Sequence, residues 1–140
     1  YDADDYRPST GEATMIVLQE KLNEDKEIFI LDEPEKSLGN TYVNEIIVPK
    51  LISLGKKRKT VIVVTHNANI AVRTFPYTSI LKTYNNGVYQ TFVGNPFTNK
   101  LISTTDSSIG VDWKMESLKI LEGGKEAFEE RGEIYGKENY

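Results

Sequence analysis

Ile28-Phe29-Ile30-Leu31-Asp32-Glu33-Pro34 decides how this chain is read. Its apolar residues run without a break, as they do in parallel strands buried on both faces. The run stops at two carboxylates and a proline, which has no N–H to carry a strand ladder further. Val61-Ile62-Val63-Val64 is a second such run, β-branched throughout, and it stops at Thr65-His66-Asn67. Between them Leu38 to Leu54 reads as a helix, with a kink or break expected at Pro49 and an end at Gly55. Strand, helix and strand make a parallel crossover, and the fold class is α/β with helices on the sheet. Both strands then point their C-terminal ends at one edge, the place where such sheets bind ligands. Asp32, Glu33 and His66 all stand at that edge.

Outward from this centre, Ser9 caps a helix that runs through Leu22, with Glu12 placed to close a capping box. A short helix is expected over Ala68 to Val72. Ser79 to Tyr84 and Val88 to Val93 flank Asn85-Asn86-Gly87, a strong hairpin signal. From Asp112 the chain reads as helical, with Trp113, Leu118, Ile120 and Leu121 as its buried side. Gly123-Gly124 interrupts that helix, and a second piece follows over Lys125 to Ile134. There is no internal repeat and no low-complexity tract.

A length of 140 residues suits a single domain, and a 39% hydrophobic share supports a small core. No apolar run approaches the roughly 20 residues of a membrane helix. No charged-then-apolar leader opens the sequence. The absence of cysteine excludes disulfides and thiolate metal sites. A net charge of -4 gives no general attraction to nucleic acid. The basic run Lys56-Lys57-Arg58-Lys59 reads as a solvated loop or as a local phosphate contact. The sequence opens at Tyr1 with an acidic stretch and no methionine, so it is expected to begin inside a longer protein.

Three groups of residues carry chemistry. Asp32 suits a hard cation such as Mg²⁺, and Glu33 can take a proton from an attacking water. The plainer alternative is a polar strand exit. His66, the only histidine, can hydrogen-bond a phosphoryl oxygen or simply cap the turn at Asn67-Ala68. Ser9, Gly11 and Glu12 open a helix, which serves either as an anion site or as an ordinary capped terminus.

The order of these pieces resembles the C-terminal portion of an ATP-binding-cassette (ABC) ATPase head, a partial P-loop NTPase of the SMC/Rad50-like and bacterial AAA-type kind. Ser9-Thr10-Gly11-Glu12 resembles the signature motif, and Ile28 to Glu33 resembles Walker B. Glu35-Lys36-Ser37-Leu38-Gly39-Asn40 sits where the D-loop belongs, and Val61 to His66 resembles the switch strand. The tail Leu121 to Phe128 resembles the C-terminal helices of some bacterial ATPases of this class. The resemblance implies that Asp32 holds Mg²⁺, Glu33 is the catalytic base and His66 is the switch histidine. It implies that Ser9, Gly11 and Glu12 meet the ATP of a partner subunit in a homodimer of heads. It further implies a cytoplasmic protein, with DNA as a candidate partner through work in DNA repair, chromosome organisation or phage defence.

The same resemblance makes residues 1–140 one C-terminal lobe, with 1–8 partly flexible, a C-terminal hairpin, and a largely helical extension over 95–140. The chain departs from the pattern in three ways. It contains no phosphate-binding G-x-x-x-x-G-K-S/T stretch, so this portion alone is expected to be inactive. Pro8 stands in place of a leucine, and Gly39 in place of the D-loop aspartate. Two rivals remain at this point: a metal-dependent nuclease or phosphatase using Asp32, Glu33 and His66 as ligands, and a non-catalytic dimerisation module.

Overall fold

The computed structural model describes residues 7–136. The expected flexibility of the N-terminal stretch falls mainly on 1–6, outside the described residues. The sequence reading has one domain over 1–140; the packing separates two compact units, Tyr1–Thr74 and Phe75–Tyr140.

In the first unit, α1 (Thr10–Asn23) starts at the expected cap. The Ser9 hydroxyl accepts from the Glu12 N–H at 3.3 Å, and the Glu12 carboxylate accepts from the Ser9 N–H at 2.8 Å. Strands β1 (Ile28–Asp32) and β2 (Thr60–Val64) pair in parallel with Ile28 opposite Thr60 and Asp32 opposite Val64. The two C-terminal ends therefore coincide, as the sequence predicts.

The helical run between the strands is continuous but not regular. α2 (Asn40–Tyr42) passes into a π-helical turn, Val43–Ile47, and then into α3 (Val48–Lys56). The Val48 N–H bonds to the Val43 carbonyl, one residue further back than in an α-helix. This places Pro49 in the first turn of α3, where its missing N–H and its ring do least harm. The break expected at Pro49 is thus absorbed by the turn before it.

Gly55 does not end the helix. Lys57 is the C-cap, and Arg58 takes the left-handed conformation at φ 62°. The Arg58 N–H reaches the Gly55 carbonyl at 2.9 Å and the Lys59 N–H reaches that of Leu54 at 3.1 Å, a Schellman turn. The basic run is this turn. Its last member, Lys59, pairs with Glu27 and with Asp25 (3.2 Å), and the hydrogen bonds to Glu27 and then Asp25 raise its ammonium pKa.

Leu18 and Leu22 of α1, Phe29 of β1, and Val43, Ile47, Leu51 and Leu54 of the long helical run form the core with Val48 and Ile70. Leu31, Val61 and Val63 pack against it from the sheet. Strands covered on both faces were expected, and here the structure differs. Ile28, Ile30, Ile62 and Val64 alternate onto the other face, where Ile30 is 73% exposed. The helices of this unit cover one side of a two-stranded sheet and leave the other open. α4 (Ala68–Ala71) closes the unit, with Asn67 rather than His66 as its side-chain cap.

The second unit is an antiparallel sheet in the order β3-β4-β5-β6. β3 (Ser79–Asn85) and β4 (Val88–Asn95) form the expected hairpin. Asn86 (φ 48°) and Gly87 (φ 80°) supply the paired positive φ angles of a two-residue turn. β5 (Lys100–Ser103) and β6 (Gly110–Asp112) are two strands in a stretch expected to be largely helical. Gly94 lies where a Cβ would sit 1.8 Å from the Lys100 carbonyl oxygen, so β4 and β5 approach through it. α5 (Trp113–Glu122) and α6 (Lys125–Gly136) follow, separated by Gly123 and Gly124 at positive φ. Trp113 is buried and donates to the Ser79 hydroxyl at 2.9 Å; Ile120, expected inside, is 48% exposed.

Candidate functional site

The rim where β1 and β2 end is built by a few backbone bonds. The Glu33 N–H donates to the Val64 carbonyl at 2.8 Å and extends the parallel ladder one step beyond Asp32. At Glu33 the backbone turns through φ 45°, a left-handed conformation that L-residues avoid. Pro34 follows and is buried. The loop then tightens, the Lys36 N–H reaching the Glu33 carbonyl and the Leu38 N–H that of Glu35, both at 2.9 Å. Ser37 is a second left-handed residue, at φ 66°. Backbone strain of this kind collects at functional sites.

The turn points the Glu33 side chain at the neighbouring strand exit. The His66 Nε2 lies 3.4 Å from the Glu33 Oε1, with side-chain exposures of 81% and 40%. Asp32, the last residue of β1, is exposed beside them. An acid and an imidazole from two parallel strands thus meet at a solvent-open edge, where both can reach a bound molecule.

Glu35 was read from the sequence only as part of a loop; the structure makes it the link between the two strand exits. Its Oε1 accepts from the Thr65 hydroxyl and, at 3.2 Å, from the His66 backbone N–H. The Thr65 hydroxyl oxygen in turn accepts from the Asn67 N–H at 3.0 Å. Neither Glu35 nor Thr65 has a sequence pattern of its own. The signal was a carboxylate just past one strand exit and a hydroxyl beside the histidine at the other.

Ser9 and Glu12 are engaged with each other in the capping box. Gly11 has a packing reason to be glycine, since a Cβ there would stand 2.9 Å from the Ser37 carbonyl oxygen. The start of α1 therefore rests against the loop that follows Glu33.

Among the described residues no group of three or more His, Cys, Asp and Glu could hold a metal ion. Asp32, Glu33 and His66 are thus not the three-ligand cluster that the nuclease reading needs. One exposed carboxylate does fit Mg²⁺ in its commoner protein setting, bound through one or two carboxylates together with substrate phosphates and water. Among the described residues no helix is long and apolar enough to cross a membrane.

The first unit is a mixed α/β body whose strand ends carry an acidic couplet and a histidine, consistent with part of a nucleotide-binding domain. Curated relatives agree with that class. Over 76 residues the chain is 31% identical to the "Phosphate import ATP-binding protein PstB 1" of Yersinia pestis bv. Antiqua (strain Antiqua), which covers 54% of this chain and 27% of the relative. The protein of the same name from Yersinia pseudotuberculosis serotype I (strain IP32953) matches equally. The chain therefore spans about a quarter of the length of these relatives. No protein-family model matches the chain, and no solved structure matches it.

Proposed function

We propose that this chain is the C-terminal portion of an ABC-type ATPase head that binds and hydrolyses ATP, of the SMC/Rad50-like kind. The observation that carries the reading is the meeting of Glu33 and His66 at 3.4 Å, on the shared rim of two parallel strands with Asp32 alongside. The similarity to an ATP-binding protein supports it independently.

In this reading Asp32 holds Mg²⁺ at the nucleotide, and the metal neutralises phosphate charge when bound. Glu33 accepts a proton from the attacking water. His66 donates to the transferring phosphoryl group, where a preformed donor is most effective. Ser9, Gly11 and Glu12, at the start of α1, face the ATP of a second head in a homodimer. The phosphate-binding loop is supplied by a longer cytoplasmic protein, and the present portion alone is inactive. The open face of the β1–β2 sheet is where the remainder of that head packs. The process served is DNA repair, chromosome organisation or phage defence, with DNA as partner. The phosphate import named for the relatives makes transport the competing process, and stimulation of ATP turnover by DNA separates the two.

The test is Glu33→Gln in the full-length protein. The carboxamide keeps the shape and removes the base, so ATP should trap a dimer seen as an earlier elution in size-exclusion chromatography. A variant that stays monomeric with ATP, or that hydrolyses it at the wild-type rate, contradicts the proposal.

A further inference from the structure

The His66 side chain is 81% exposed, and its ring lies 3.4 Å from the Glu33 carboxylate. A contact so open to water does little to fix two side chains. The backbone that carries the ring is held much more firmly. One oxygen of Glu35 takes both the Thr65 hydroxyl and the His66 N–H, and the Thr65 oxygen takes the Asn67 N–H. Residues 65–67 are thereby tied to the same short loop from which Glu33 projects. Glu33 is anchored in the opposite sense, its N–H on the Val64 carbonyl. The two strand exits are laced together from both sides.

The second oxygen of Glu35 strengthens the case. Oε2 is buried without a hydrogen-bond partner among the described residues. A buried acceptor left unmatched disfavours the folded state. Solubility does not explain a carboxylate in that position, whereas the two bonds made by its other oxygen do.

We propose that Glu35 is a positioning residue, whose carboxylate holds Thr65 and the His66 backbone so that the imidazole faces Glu33. The inference rests on the ATPase reading above. In this role Glu35 acts through His66, by way of its bonds to the Thr65 hydroxyl and the His66 N–H.

The experiment is ATP hydrolysis by the full-length protein carrying Glu35→Ala, Glu35→Gln, Thr65→Val, His66→Ala and the double variant Glu35→Ala/His66→Ala, each checked for native folding by circular dichroism. Glu35→Ala should lower kcat by on the order of 10–100-fold, the scale of a displaced catalytic group, with KM for ATP within about twofold. Glu35→Gln keeps an oxygen that accepts both bonds and should recover most of the rate. Thr65→Val should fall between. In the His66→Ala background, Glu35→Ala should have no further effect, because the group it positions is gone. Full activity in a folded Glu35→Ala protein, or independent losses in the double variant, overturns the proposal while leaving the ATPase reading intact. If Glu35→Ala does not fold, Thr65→Val at wild-type kcat overturns it instead. A wild-type protein that hydrolyses no ATP overturns both.

Discussion

Replacing Glu33 by alanine and by glycine separates the backbone geometry of the rim from its chemistry. Glu33 sits at φ 45° and precedes Pro34, so two local preferences oppose its conformation. Alanine keeps the Cβ that causes the strain; glycine removes it. An L-residue in the left-handed region costs about 1–2 kcal/mol, and glycine ordinarily costs about 0.5–1 kcal/mol relative to alanine through lost chain entropy. The difference leaves the glycine variant more stable than the alanine variant by about 0.5–1 kcal/mol. The contact with His66 is lost equally in both and cancels. Urea unfolding should show a midpoint roughly 0.4 M higher for glycine at an unchanged slope. Far-UV circular dichroism is the proper probe, because it follows the helices of the first unit directly, whereas the single tryptophan, Trp113, belongs to the second. Neither variant should turn over ATP in the full-length protein. The ordinary order, alanine more stable than glycine, would refute the claim that the rim stores strain at Glu33.

Two further substitutions probe the scaffold. Gly94→Ala puts a methyl group 1.8 Å from the Lys100 carbonyl and must force β4 from β5, destabilising the second unit by about 3 kcal/mol, read by Trp113 fluorescence in urea. Arg58→Gly relieves the left-handed residue at φ 62° that closes α3 and should stabilise the first unit by about 0.5–1 kcal/mol, seen as a higher thermal midpoint.

Local chemistry made much of this structure readable in advance. Ser9 and Glu12 declare a helix start because their side chains satisfy its orphan N–H groups, and that capping box is present. Asn86-Gly87 declares a hairpin because few other pairs accept two positive φ angles, and both angles are there. The apolar runs at β1 and β2 foretold a parallel pair, and with it the juxtaposition of Glu33 and His66. What the sequence concealed depends on tertiary context. An apolar run looks the same whether one face or both are covered, so the open face carrying Ile30 and Ile62 was invisible. Gly55 looked like a helix end, but the chain stays helical there and turns at Arg58, where the Schellman bonds outweigh the conformational cost. β5 and β6 are too short to show a period. Glu35 is one carboxylate among many until the fold brings Thr65 to it.

The account rests on Glu33 and His66 serving one reaction at the joined ends of β1 and β2. The most direct measurement is the steady-state rate of ATP hydrolysis by the full-length protein with Glu33→Gln and with His66→Ala. Each should lose about 100-fold or more in kcat while still binding ATP, as expected for a general base and a charge-stabilising donor. Rates within twofold of wild type for either variant, in a protein that remains folded, would contradict it.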